Sequence, residues 1–128
     1  MFNSNDIAKL MLRLSVGGLM LFHGIHKVIY GIDPIKSMLA KSGLPEILSF
    51  GVYMGELIAP IFIVLGLYAR IASLVLAFNM LVAIFLAYGF SFALSKHGGL
   101  AIESPLLFLI MSLTIALLGS GKYSVNNK

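Results

Sequence analysis

Cysteine is absent from the 128 residues. That excludes disulfides, thiol redox relays, iron–sulfur clusters and thiolate metal sites. Charge is scarce: 11% of the residues are Asp, Glu, Lys or Arg, against about 25% in an ordinary soluble domain. The formal net charge of +4 is scattered, with no basic run and no basic–aromatic interleaving. Nucleic acid is therefore not an expected partner. No internal repeat is evident. The first apolar run is interrupted by Arg13 and preceded by Asp6 and Lys9, and no small-residue cleavage site follows it. It does not read as a removable leader.

What is present is apolar surface, with 59% hydrophobic residues and a mean hydropathy of +1.01. A soluble chain of this size buries only about two-thirds of the surface that it exposes when unfolded. Lipid is thus the expected solvent, and membrane lipids the first expected partner. A spanning helix takes about 20 mostly apolar residues. Segments from about Ile7 to Ile29, Ile47 to Leu67, Ile71 to Tyr88 and Ala101 to Leu118 meet that pattern. Backbone groups without partners are too costly in hydrocarbon, so these segments should be helices. The expected fold is an all-α, four-transmembrane-helix bundle, a single membrane domain over residues 1–128.

The connections fit this division. Asp33-Pro34 reads as a cap with proline at the first helical position, and Gly43 as a C-terminal glycine. Between them a short amphipathic helix is expected in the membrane interface. The link around LGLYAR is very short, so the helices that it joins should be antiparallel neighbours. The link GFSFALSKHGG is longer, and His97 within it reads as a solvated group. Ser104-Pro105 starts the fourth helix with Glu103 at its positive end. The segments NSN and SVNNK read as solvated ends. Four spans place both termini on one side, with Lys9, Arg13, Arg70, Lys122 and Lys128. Lys27, Lys36, Lys41 and Lys96 fall on the other. Positive-inside reasoning then favours cytoplasmic termini.

Ionisable groups inside the spans mark candidate sites. His23, His26 and Lys27 share one flank of the first helix at offsets of three and four. Arg13 lies about two turns into that helix, and Glu56 near the middle of the second. An antiparallel register brings both Arg13 and His23 within about 8 Å of the level of Glu56. The expectation is one polar seam of Arg13, Glu56, His23 and Lys27, joined by His26, Tyr53 and Asn79. Lys27 has an alternative, extending to the interface, and the histidines read as structural rather than metal-binding. No metal site is expected. Glu56 resists the structural reading best, because a carboxylate at mid-bilayer needs a cation, a proton or water. Gly17-Gly18, Gly24 and the Gly51/Gly55 pair read as surfaces for close helix packing.

These residues resemble the DoxX family of small membrane proteins over nearly the whole chain. The similarity runs through Arg13, the Gly24 and Lys27 of FHGIHKVIYG, and the KSGLP turn ending at Pro45. It continues through GELIAPIFIVLGLYAR with Glu56, Gly66 and Arg70, then Glu103, and the closing GSGKYSVNN with Ser124. Asn126 stands where the family carries aspartate. The resemblance implies a four-helix protein of the bacterial inner membrane. The family takes its name from a subunit of an archaeal thiosulfate:quinone oxidoreductase, and other members are linked to redox stress.

Two functional readings follow. In the first, the protein is a redox-associated subunit that binds quinone or another lipophilic carrier. Glu56 and His23 would then supply protons, Arg13 or Lys27 would hydrogen-bond the headgroup, and Phe22 and Tyr53 would stack on the ring. A soluble or membrane redox partner would supply electrons. In the second, the protein is a non-catalytic scaffold or a small proton or anion permeation module. A homo-oligomer is compatible with either.

Overall fold

The protein is described by a computed structural model in which residues 3–89 and 91–126 are placed. Among these residues the regular structure is helical. Helix α1 is Ser4–Tyr30 and α2 is Asp33–Lys41. Helix α3 is Glu46–Leu65, α4 is Ala69–Tyr88 and α5 is Glu103–Leu118.

Local chemistry sets these limits. Asn3 caps α1, its side-chain oxygen accepting from the Asn5 N–H at 2.8 Å. Gly31, at φ 86°, ends α1 while its N–H donates to the Lys27 carbonyl. Leaving the helix in this way requires a residue that tolerates positive φ. Helix α3 ends in a Schellman turn at Gly66, φ 72°, where the Leu67 N–H reaches the Phe62 carbonyl at 2.9 Å. The connection between α4 and α5 folds on itself, with the Ala101 N–H donating to the Ala93 carbonyl at 3.0 Å. His97 is exposed there.

Helices α1, α3, α4 and α5 pack as a ring in which α1 touches α3 and α5, and α4 touches α3 and α5. Their shared core holds Val16, Met20, Ile63, Leu76, Met80 and Ile115. Outside it, large apolar side chains such as Phe22, Phe78 and Leu117 are exposed. That outer shell makes sense only in a solvent as apolar as itself. Helices α1, α3 and α4 are long and apolar enough to cross a membrane, and α5 is a shorter apolar helix of 16 residues. The molecule is a membrane protein.

Two expectations are corrected. The closing segment is not simply solvated. The N–H groups of Val125 and Asn126 donate to the carbonyls of Leu65 and Gly66 at 3.0 and 3.3 Å. Carbonyls at a helix end need donors, and the tail brings them. Of the glycine pairs, only one member of each is a packing contact. A Cβ on Gly17 would lie 2.8 Å from the Pro60 carbonyl oxygen, and one on Gly55 would strike Asn79. Gly18 and Gly51 face open space.

Candidate functional site

Lys27, one turn before the end of α1, forms an ion pair with Glu56 of α3. It is the ion pair found among the described residues. The other Glu56 oxygen accepts from the Asn79 amide of α4 at 3.4 Å. Tyr53 closes the group, its hydroxyl lying 3.5 Å from the Lys27 carbonyl. Lys27 of α1, Glu56 of α3 and Asn79 of α4 thus meet at a shared point. Glu56 is buried, while the Lys27 side chain keeps 27% exposure. Lys27, Glu56 and Asn79 form one wall of a chamber of about 320 Å³, which Tyr53 does not line. Pro34, Ile35 and Met38 of α2 and Val82, Ala83 and Leu86 of α4 supply its apolar walls.

The backbone of α3 is irregular at this point. Residues Glu46–Phe50 wind as a 3₁₀ helix and Met54–Ile58 as a π turn, in which the Ala59 N–H donates to Met54, five residues back. Pro60 supplies a reason. It has no N–H to offer the carbonyl of Glu56, four residues earlier, so the regular ladder is broken there. The freed carbonyl faces α1. A Cβ on Gly24 would strike the Glu56 oxygen and lie 2.7 Å from its carbonyl carbon. Only glycine lets α1 come this close, and that approach brings Lys27 level with the carboxylate. Single π turns of this kind recur at functional sites.

The expected single seam divides into separate places. Arg13 does not join Glu56. It is buried at the other end of α3, where Nη1 donates to the carbonyls of Ile63 and Val64 at 3.2 and 3.1 Å. Nη2 donates to Tyr123 of the closing segment. The negative end of a helix dipole with carbonyls to spare is a strong partner for a guanidinium. The register slides accordingly, so Gly24 rather than the Arg13–His23 midpoint meets Glu56. His23 makes an edge contact with Phe108 of α5, ring centroids 6.1 Å apart. His26 lies against Tyr30 at 4.5 Å. Neither lines the chamber. With Gly24 turned to α3, Lys27 lies about 60° round the helix from it, His23 about 100° and His26 about 160°. Only the long lysine reaches back.

The remaining family-like positions are structural in placement. Pro45 precedes α3, and its carbonyl accepts from the Leu48 N–H at 3.2 Å. Arg70 opens α4 and lies over Gly119, where a Cβ would come within 2.8 Å of its guanidinium. Glu103 begins α5. Ser124 packs on Gly66, and its hydroxyl donates to the Gly121 carbonyl at 2.7 Å. The side-chain oxygen of Asn126 accepts from the Tyr68 N–H at 3.0 Å. That position uses an acceptor, and an amide oxygen serves without charge.

The ordered run of arginine, glycine, lysine and glutamate is matched by a family model. DoxX covers residues 8–89. The chain belongs to the DoxX family. No curated protein and no solved structure matches it. The DoxX match takes in α1 to α4 and therefore Arg13, Gly24, Lys27, Tyr53, Glu56, Arg70 and Asn79. Glu103 and Ser124 lie beyond it.

Sequence reasoning missed the π turn and the apolar walls. Pro60, four residues after Glu56, is a readable signal for the first. Val82, Ala83 and Leu86 carry no signal apart from α4 itself.

Proposed function

We propose that this DoxX protein is a four-span subunit of the bacterial cytoplasmic membrane that binds a quinone or a similar lipophilic carrier in the chamber beside Glu56. The observation that carries the reading is the combination of three polar groups with an otherwise apolar cavity. Lys27 and Asn79 are donors of the kind that quinone carbonyls accept. Glu56 holds a carboxyl group within reach of the same point and can pass a proton as the carrier is reduced. Quinone reduction consumes electrons and protons together, so a partner protein supplies the electrons and this chain the proton path. The pairing of Glu56 with Lys27 and Asn79 favours the alternative, a structural polar knot in a scaffold. The cavity beside it is what a pure scaffold does not need.

Two measurements separate these readings. Organic extracts of the purified protein are expected to contain lipophilic quinone at a molar ratio well above that of the surrounding membrane. The added headgroup, a tail-less methyl-naphthoquinone, is expected to bind about tenfold more weakly to Lys27→Met, a difference of about 1.4 kcal/mol. Unenriched extracts together with no measurable headgroup binding would leave the scaffold.

The same proposal places α2 in the membrane interface and α5 across the bilayer. A 16-residue helix spans about 24 Å against a hydrocarbon core of about 30 Å. Local thinning absorbs such a mismatch at modest cost. Four spans put both termini on one side, and the small excess of Lys and Arg there assigns that side to the cytoplasm. A periplasm-only reporter fused after Lys128 should be inactive and a fluorescent protein active; the opposite pattern reverses the orientation.

A further inference from the structure

The chamber is not closed. It shares Ile35, Val52, Asn79, Val82 and Leu86 with a second cavity of about 490 Å³. That cavity shares Met54 and Val75 with a third of about 410 Å³. Shared lining sets the three end to end along the seam of α3 and α4, and we read them as one groove. On α4 its lining recurs at Ala72, Val75, Asn79, Val82 and Leu86, offsets of three and four that keep to one face. From Ala72 to Leu86 that face extends about 21 Å. Polarity falls along it. Lys27, Glu56 and Asn79 lie at the chamber, Asn79 alone is polar in the second cavity, and Tyr68 alone in the third.

We infer that this groove holds the single polyprenyl tail of a neutral-headed ligand whose head binds in the chamber. The inference rests on the reading proposed above and specifies the ligand that it calls for. A tail leaving a head at Glu56 would pass Val52, Val82 and Leu86, which line both cavities. Charge selects among amphiphiles. The head site is an ion pair of Lys27 with Glu56, neutral overall, so it calls for no charged head, and it offers carbonyl acceptors the Lys27 and Asn79 donors. The groove exists because Gly51, Ala72 and the short valines leave volume unfilled between two helices. Lipid tails are as apolar as a polyprenyl tail, so the gain comes from packing and restraint rather than from the hydrophobic effect. The expected preference is accordingly several-fold, not thousands-fold.

The test uses the full chain in zwitterionic nanodiscs, with probe concentrations referred to the bilayer. The probes are tail-less methyl-naphthoquinone and its polyprenylated homologue. Val75 joins the second and third cavities and is 37% exposed, so Val75→Phe fills the groove without entering the core. Wild type is expected to bind the tailed probe several-fold more tightly. Val75→Phe should erase that preference while binding the tail-less probe as wild type does, which also certifies its fold. Lys27→Met should weaken both probes. Equal binding of the two probes by wild type overturns the tail site and leaves the head site standing. A Val75→Phe variant that keeps the preference, or weakens both probes equally, also overturns it. If neither probe binds, both readings fall. Copurifying phospholipid that Val75→Phe displaces, with no preference for the tailed probe, assigns the groove to bulk lipid.

Discussion

Lys27→Met is expected to destabilise the protein by about 3 kcal/mol, and Glu56→Gln by clearly less. The two differ because their side chains differ in exposure, 27% for Lys27 and 5% for Glu56. Without Lys27, the carboxylate stays buried with only the Asn79 amide at 3.4 Å. Breaking a buried pair in soluble proteins costs about 3–5 kcal/mol for this reason. Without the Glu56 charge, a lysine near the helix end can extend towards the surface, which relieves much of the penalty. Glutamine also keeps an oxygen for Asn79. The double variant should therefore be more stable than the sum of the single losses predicts, by at least about 1 kcal/mol. Thermal unfolding in detergent of the four proteins decides it. Additive losses would mean that the two groups do not stabilise one another.

Gly24→Ala is expected to cost about 3 kcal/mol, the upper part of the range for overpacking. The added methyl would strike the Glu56 carbonyl oxygen and lie 3.2 Å from the Leu57 nitrogen. These are main-chain atoms, so no rotamer change relieves the contact and the helices must part. Gly18→Ala on the same helix is the control. Nothing lies within 4 Å of its Cβ position, and alanine is the better helix former by about 1 kcal/mol. That variant should be neutral or slightly stabilised. Equal losses at the two positions would show that α1 tolerates no change at all, and the close approach would lose its special standing. Parting the helices also draws Lys27 from Glu56, so Gly24→Ala should weaken headgroup binding as well.

The sequence was most legible where one element speaks for itself. The apolar runs located α1, α3 and α4 to within a few residues, because hydrocarbon leaves a chain little choice but helix. Lys27, Tyr53, Glu56 and Asn79 could be singled out because polar groups in such runs stand out against their surroundings. Their pairing was harder. Arg13 and Lys27 were equally good partners for Glu56 by charge, and the choice between them depends on helix register. That register is set by Gly24 against a carbonyl that Pro60 has freed, a relation between two helices that no single segment contains. The Arg13 site depends in addition on the Tyr123 carbonyl, 110 residues away. The groove was illegible for a similar reason, since missing volume belongs to a pair of surfaces.

The π turn at Met54–Ile58 also acts as a phase shifter. An extra residue held within one turn rotates everything before it by about 100° relative to everything after it. Helix α3 can therefore present Val52 to the chamber on one side of the turn while Gly17 of α1 meets Pro60 and Val64 on the other. A regular helix of the same composition would have to choose one of these alignments. Deleting a single residue inside the turn would straighten the helix and swing its first half away from α4. In this helix a residue's angular address is decided by its position relative to the turn as much as by its spacing from its neighbours.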